Sequence, residues 1–299
     1  MDLTGIVTAI LSALFMGTVG VFAKITGLGA EVITFFRLGL GAAFMLLLLL
    51  ITGQGRKILI WPSWPVLLNG TMLAGFIIFY VQAMEYTTMA NAIMLVYLAP
   101  LTSSIYAHFF LGERLTCASA ALIALALFGF AMMMEFHVDF AGGDHLLGIG
   151  LGLLSMLCYA AFILINRVID QNIHVFTRTF YQLLVGAIMM LPLCLWRCPD
   201  LPLQIWPWLA AIGLIPGFLA ILCAVSALSR LPAATFGSLA YFEPIAVVFF
   251  GWSLFSESLS WMQLAGCSLI IAAGILKTWA SVASQSSRRT CPERDRLLD

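Results

Sequence analysis

Charged residues are scarce in this chain of 299 residues, of which they make up only 9% while apolar residues make up 62%. An average soluble domain is about half apolar and about a quarter charged. So few charged side chains cannot cover a surface that faces water. Because the apolar content recurs along the whole length, no part of the chain has the composition of a separate soluble domain, and an integral membrane protein is indicated.

Several features that would indicate other classes of protein are also missing. The basic residues mostly stand singly between apolar runs and the net charge is zero, which argues against nucleic-acid binding. The cysteines form no disulfide pattern, and the histidines lack zinc-ligand spacing. The sequence contains no nucleotide-binding motif and no catalytic arrangement of serine, cysteine or acidic residues. We therefore expect a protein that is not an enzyme and that holds no metal or cofactor.

Long apolar runs are what the sequence does contain. A helix needs about 20 predominantly apolar residues to cross a membrane, and ten segments meet this requirement. Short turns with Gly, Pro or charged residues separate most of them. The sequence therefore predicts an all-α integral membrane protein with ten transmembrane helices. The predicted spans are residues 4–24, 31–52, 65–84, 89–111, 115–135, 146–167, 174–196, 205–227, 233–255 and 260–280.

The basic residues predict the orientation, because cytoplasmic loops retain Lys and Arg. With a cytoplasmic N-terminus, eleven of the fourteen lie on the inner side, whereas Lys24, Arg37 and Arg197 lie toward the outside. We therefore expect both termini in the cytoplasm, with the first apolar run retained as a span. The inner basic residues are Arg56, Lys57, Arg114, Arg167, Arg178, Arg230, Lys277, Arg288, Arg289, Arg294 and Arg296.

An internal repeat divides the chain into two halves with five predicted spans each. An odd number of spans reverses the direction of the second copy, so the copies are inverted. Such repeats build many secondary transporters, in which rocking of the copies gives alternating access. We expect a first repeat at residues 1–143, a second at 144–282 and a disordered, polar cytoplasmic tail at 283–299. The matching residues are Ser12 and Ser155, Lys24 and Arg167, Tyr97 and Tyr241, Pro100 and Pro244, Glu113 and Glu257, and Leu115 and Leu259.

The segments that follow the two matching prolines carry a family resemblance. Residues 100–116, with Gly112-Glu113-Arg114, and residues 243–274, with Ser256-Glu257-Ser258, resemble the EamA-type transporters of the drug/metabolite transporter superfamily. The resemblance implies ten helices in two inverted units, in the bacterial inner membrane, often for export of amino acids or other metabolites. The second copy of the Glu-containing element is less typical. The shared motifs are mainly structural and say little about the substrate.

Glu243 is the main candidate for a functional residue. An ionisable side chain near the bilayer centre costs about 2.5–3.5 kcal/mol on insertion scales, so it is tolerated mainly beside a cavity or a partner. Glu243 lies near the middle of the ninth predicted span, directly before Pro244, which frees a backbone carbonyl one turn earlier. A glutamate there can bind a proton, attract a cationic group, or exchange one for the other. Alternatively, it satisfies only freed backbone groups or a neighbouring polar helix.

The first half has the same predicted helix break without the charge, because Ala99 precedes Pro100. Tyr97 and Tyr241 stand about one turn before the two prolines and can face each other, offering hydroxyls and ring faces to a substrate. Alternatively, they pack with the hydroxyl on a carbonyl. We interpret Glu113 and Glu257, at span ends, as residues that fix helix ends and loops.

Arg37 and four amides complete the predicted substrate and proton pathway. Arg37 can bind a carboxylate, pair with Glu31 or Glu243, or extend outward to the membrane surface. Amides within spans are either ligands or contacts between helices. The four amides are Gln82, Asn91, Asn166 and Gln182.

Together these patterns predict a secondary transporter that exports a small metabolite, amino acid or drug by alternating access, with protons as a candidate coupling ion. The expected partners are a small-molecule substrate, the lipid bilayer and protons. A passive channel or facilitator for a small solute is the first alternative. An intramembrane enzyme that modifies lipid is the second, and the missing catalytic arrangement argues against it.

Overall fold

The computed structural model is helical in every regular element of the residues that it describes. Some residues named above lie outside the described residues, namely Arg56, Lys57, Arg114, Glu257 and residues 290–299. The described ranges are residues 3–55, 63–87, 89–113, 115–136, 145–170, 172–197, 201–256 and 258–289.

The helices follow one another through short connections. In the first half they are α1 (Leu3–Thr26), α2 (Ala30–Ile51), α3 (Trp64–Tyr86), α4 (Met89–Val96), α5 (Ala99–Phe110) and α6 (Cys117–Met133). In the second half they are α7 (His145–Val168), α8 (Val175–Arg197), α9 (Trp206–Ile212), α10 (Ala220–Leu228), α11 (Ala233–Ala240), α12 (Phe242–Phe255) and α13 (Trp261–Arg289). A 3₁₀ turn (Leu203–Ile205) precedes α9, and a π-helical segment (Gly213–Leu219) joins α9 to α10.

Eight helical segments of the described chain are long and apolar enough to cross a membrane. Three of these segments combine shorter elements: α4 with α5, α9 with α10, and α11 with α12. The two remaining predicted spans coincide with shorter apolar helices, Cys117–Met133 and Trp261–Leu276. The protein is therefore a multi-pass integral membrane protein, and length supports eight of the ten predicted spans. Residues 283–289 of the predicted disordered tail are helical, because α13 continues to Arg289.

The helix breaks that we predicted at the two prolines are present. The helix α4 ends at Val96 and α5 begins at Ala99, with Pro100 in its first turn. In the second half, α11 ends at Ala240 and α12 begins at Phe242, shortly before Pro244. A proline has no N–H group to donate to the preceding turn and its ring collides with that turn. Both broken spans therefore interrupt their hydrogen bonding at corresponding positions.

Glycines allow some helices to approach very closely. A Cβ atom added to Gly217, in the π-helical segment, would collide with the carbonyl oxygen of Arg37 on α2. A Cβ on Gly129 of α6 would lie 2.8 Å from the carbonyl oxygen of Gly266 on α13. Small residues at such crossings allow the van der Waals contact that holds helices together in a membrane.

Two serines join the halves through hydrogen bonds. The Ser12 hydroxyl on α1 donates to the carbonyl oxygen of Ala220 on α10, at 2.9 Å. The Ser155 hydroxyl on α7 donates to the carbonyl oxygen of Phe76 on α3, at 2.6 Å. Each half thus contributes the donor for one contact and the acceptor for the other.

Glu113 connects the end of α5 to two helices of the second half. One carboxylate oxygen accepts from Nε of Arg167, at 2.9 Å, and the other accepts from the backbone N–H of Ala233, at 2.9 Å. Because Ala233 begins α11, the carboxylate caps that helix and interacts favourably with its dipole. The predicted role of Glu113 in fixing helix ends is confirmed.

Candidate functional site

Glu243 lies in the first turn of α12, directly after the break in its span. The neighbouring helix α1 approaches this turn closely, since a Cβ added to Gly17 would lie 3.3 Å from the carbonyl oxygen of Glu243. Pro244, the next residue, is buried. The partly buried acidic residue therefore lies at the start of a half-helix, as we predicted from its place beside the proline.

The two matching tyrosines meet beside Glu243. Their rings are 5.7 Å apart between centroids, and the Tyr241 hydroxyl donates to the carbonyl oxygen of Tyr97 at 2.7 Å. The Tyr97 side chain interacts with the Glu243 carboxylate. Tyr241 thus follows the packing alternative, with its hydroxyl on a carbonyl, whereas Tyr97 interacts with the acid.

Arg37 is buried on α2, with only 6% of its surface exposed. Its Nη1 lies 3.7 Å from the sulfur of Met16, and the side chain is close enough to Glu243 for an electrostatic interaction. Glu31 instead pairs with Arg197, at 2.7 Å. Of the alternatives for Arg37, extension to the surface and pairing with Glu31 therefore do not occur in the structure.

Two further tyrosines near Glu243 were not singled out from the sequence. Tyr80 on α3 and Tyr159 on α7 are both close enough to interact electrostatically with its carboxylate. Phe76 stacks on Tyr159 with ring centroids 5.0 Å apart. A usable signal was present in one case, because Tyr159 stands one helical turn after Ser155, a residue of the repeat.

Asn166 and Gln182 contact each other instead of Glu243. Nε2 of Gln182 donates to Oδ1 of Asn166, at 3.0 Å, and Nδ2 of Asn166 donates to the carbonyl oxygen of Phe162. Both amides are almost fully buried. They link α7 to α8, which is the interhelical alternative for these amides.

The other predicted residues have local contacts of their own. Asn91, near the start of α4, donates from Nδ2 to the hydroxyl oxygen of Thr87, at 3.0 Å. Gln82 is partly buried on α3. Pro100 is buried against α11, because a Cβ added to Gly237 would lie 2.8 Å from the Cβ of Pro100. Pro100 therefore shapes the helix crossing beside the site.

The resulting site combines one carboxylate, one guanidinium and several tyrosines from five of the long apolar segments. No group of three His, Cys, Asp or Glu side chains in the described part of the chain is placed to hold a metal ion. A carboxylate and a guanidinium among tyrosine rings can bind a proton, a cationic group and an anionic group. The site therefore has the chemistry of solute recognition.

Comparison with known proteins identifies the family. The model of the EamA-like transporter family matches residues 3–134 and again residues 146–278. This chain belongs to the EamA-like transporter family. Membership confirms the resemblance noted in the sequence, and the protein is a transmembrane transporter rather than an enzyme.

Several members of the EamA-like family are similar to this chain over most of its length. An uncharacterized transporter of Archaeoglobus fulgidus is 27% identical over 273 residues, which cover 90% of this chain and 94% of that protein. A pseudopaline exporter of Pseudomonas aeruginosa is 27% identical over 277 residues, with coverage of 91% and 95%. A threonine/homoserine exporter of Salmonella typhimurium is 25% identical over 221 residues, with coverage of 72% and 70%.

A solved crystal structure also matches the fold of this EamA-like transporter. The two structures agree with a TM-score of 0.82 over 92% of this chain and 98% of the other, at 22% sequence identity. At this identity the likeness shows a common fold.

Phenylalanine substitutions of the two tyrosines in this EamA-like transporter are expected to have different effects. Tyr241→Phe removes the donor to the Tyr97 carbonyl and should lower the free energy of unfolding by about 0.5–1.5 kcal/mol, with the pH profile of transport retained. Tyr97→Phe removes the hydroxyl directed at Glu243 and should alter that profile. Unfolding in detergent and transport across a pH series measure the two effects. An unaltered profile in Tyr97→Phe would exclude a role for its hydroxyl at the acid.

Proposed function

We propose that this transporter is a proton-coupled secondary exporter of a small metabolite, amino acid or drug, and that it works by alternating access. The observation that carries the proposal is the position of Glu243 at the break of its span, where its carboxylate interacts with Tyr97 and with Arg37. A carboxyl group there can hold a proton or the cationic group of a solute, but one excludes the other. Alternate occupancy would couple solute movement in one direction to proton movement in the other.

We propose that all ten predicted spans cross the membrane. The helix α6 has 17 residues, which correspond to about 25 Å at 1.5 Å per residue. This length approaches the roughly 30 Å of the hydrocarbon core. The helix α13 has 29 residues in all, so its length is sufficient although its apolar part is shorter. Local thinning of the bilayer can accommodate the shortfall at α6.

Helix packing supports an inverted repeat. In the first half α1 packs on α10, and the counterpart helix α7 packs on α3. Matching helices also pack on each other, as α2 does on α8 and α6 on α13. A two-fold relation between the halves produces both the reciprocal contacts, α1 on α10 and α7 on α3, and the contacts between matching helices. The two serine contacts agree with this arrangement, and so does the separate match of the family model to each half.

The charged residues of the site depart from this repeat. Residues 34–38 of α2 (Thr-Phe-Phe-Arg-Leu) correspond to residues 179–183 of α8 (Thr-Phe-Tyr-Gln-Leu), so Gln182 is the counterpart of Arg37. Glu243 likewise corresponds to Ala99. Both charges are thus confined to single copies, which indicates a function at this place that packing of the repeats does not require.

The proposed location is the bacterial inner membrane, with both termini in the cytoplasm. The support is the excess of basic residues on the inner side and the similarity to bacterial proteins named as exporters. Those proteins are named for pseudopaline and for threonine and homoserine, which supports a small polar metabolite as the exported solute.

Reconstitution tests the proposal. Proteoliposomes that contain the pH indicator pyranine are exposed to the standard amino acids and their decarboxylated amines, one at a time. A proton-coupled carrier should change the internal pH when a transported solute is added outside. Counterflow with a labelled form of that solute should then be faster when unlabelled solute is present on the opposite side. Flux without acceleration by opposite-side solute would indicate a passive channel and contradict the proposal.

A further inference from the structure

We propose that Arg37 and Glu243 bind opposite ends of a zwitterionic solute, with the carboxylate of the solute on Arg37 and its ammonium group on Glu243. This inference rests on the proposed transport function and names the class of substrate that the site selects.

Arg37 is a buried guanidinium whose donor groups are poorly satisfied. A guanidinium has five N–H donors and stays charged in proteins. Arg37 is 6% exposed, its Nε has no hydrogen-bond partner in the described structure, and its Nη1 meets only the sulfur of Met16, a weak acceptor. Buried charges are normally paired and hydrogen-bonded. A carboxylate, which accepts two parallel N–H bonds, matches this guanidinium.

Arg37 and Glu243 are near each other but do not form a direct pair. Among the described residues, no ion pair joins the two side chains, although they interact electrostatically. Consecutive residues of α1 touch both: Met16 contacts the guanidinium, and Gly17 abuts the backbone of Glu243. The two oppositely charged residues therefore lie beside the same turn of α1 and are not in direct contact with each other.

Glu243 has aromatic side chains around it. Tyr80, Tyr97 and Tyr159 all interact electrostatically with its carboxylate. An ammonium group is attracted both by a carboxylate and by the faces of aromatic rings. An amine without a carboxylate would leave Arg37 unpaired, and an acid without an amine would leave Glu243 unpaired. A zwitterion pairs both and adds no net charge to the site, so the site should prefer it.

Matched sets of solutes test this preference. Each set contains an amino acid, the amine formed by its decarboxylation and the acid that lacks its amino group: for leucine, these are L-leucine, isoamylamine and 4-methylpentanoate. Binding is measured by thermal shift of the purified full-length protein, and exchange is measured with pyranine in proteoliposomes. The variants are Arg37→Gln and Arg37→Lys. The first introduces glutamine, the residue at the corresponding position 182 of the second half, and the second keeps the positive charge.

The wild-type protein should bind zwitterions more tightly than either analogue. Arg37→Gln should weaken zwitterion binding about 10- to 100-fold, the effect of losing charge-assisted hydrogen bonds, and should leave amine binding nearly unchanged. Arg37→Lys should recover part of the zwitterion affinity. Arg197→Gln, the same change at an arginine on a helix end, should leave the preference intact.

Two outcomes would overturn the inference: equal loss of amine and zwitterion binding in Arg37→Gln, or a wild-type protein that exchanges protons for amines but not for zwitterions. In the second case the proton-coupled carrier would stand. Conversely, zwitterion binding that depends on Arg37 in a protein that moves no protons would contradict the proton coupling and support the two-ended site.

Discussion

Replacement of Glu243 by glutamine is expected to abolish proton movement in response to solute while leaving the protein folded. The amide has nearly the size of the carboxyl group and can still accept a hydrogen bond from Tyr97, but it cannot bind and release a proton. Internal pH in pyranine-filled proteoliposomes should stay constant when the substrate of the wild-type protein is added. Unfolding in detergent should resemble that of the wild type.

A control for this change is available at an exposed position. Glu85, at the end of α3, pairs with Arg197 and its side chain is 40% exposed. An exposed ion pair contributes about 0–1 kcal/mol, so Glu85→Gln should retain proton exchange. Flux in Glu243→Gln with the pH dependence of the wild type would exclude Glu243 as the proton carrier, whereas loss of both folding and flux would indicate a structural role.

Replacement of Gly217 by alanine should cause the largest loss of stability of the changes considered. The added methyl group would meet the carbonyl oxygen of Arg37, which belongs to the backbone of α2 and cannot rotate away. The helices must separate, and overpacking of this kind costs about 1–3 kcal/mol. Because α2 carries Arg37, transport should fall as well. Thermal unfolding and zwitterion binding measure the two effects.

Gly20→Ala is the matched substitution for comparison. Gly20 also lies within a helix, α1, but an added Cβ would have nothing within 4 Å. Alanine is favoured over glycine in helices by about 1 kcal/mol, so this variant should be as stable as the wild type or more so. Equal stability of Gly217→Ala and Gly20→Ala would contradict the close crossing of α2 and the π-helical segment.

The course of the chain was largely predictable, because it follows from local properties. Apolar runs determine which segments enter a bilayer, and the missing N–H groups of Pro100 and Pro244 determine where two of them break. The π-helical segment was not predictable in the same way, although Pro216 lies within it. Gly217 of this segment packs against the backbone of α2, and a single apolar run contains no information on that contact.

The residues of the candidate site that lie beside the matching prolines were predictable from the sequence. Tyr97, Tyr241 and Glu243 stand beside the matching prolines, and the structure brings them together. The position of Arg37 was ambiguous, because an arginine inside a span can be buried or can extend to the membrane surface. The sequence alone does not show that Met16 of α1 packs on it. Tyr80 was missed because it stands in an apolar run with no polar pattern around it, whereas the position of Tyr159 one turn after Ser155 was a signal that could have been used.

The order of synthesis gives the Glu113 contact a consequence for biogenesis. Glu113 leaves the ribosome before Arg167 and long before Ala233, yet both are its partners in the finished protein. A nascent or truncated chain therefore carries an unpaired carboxylate at the end of α5 until α7 and α11 are inserted. The end of the first half therefore reaches its final contacts only after the second half has been inserted.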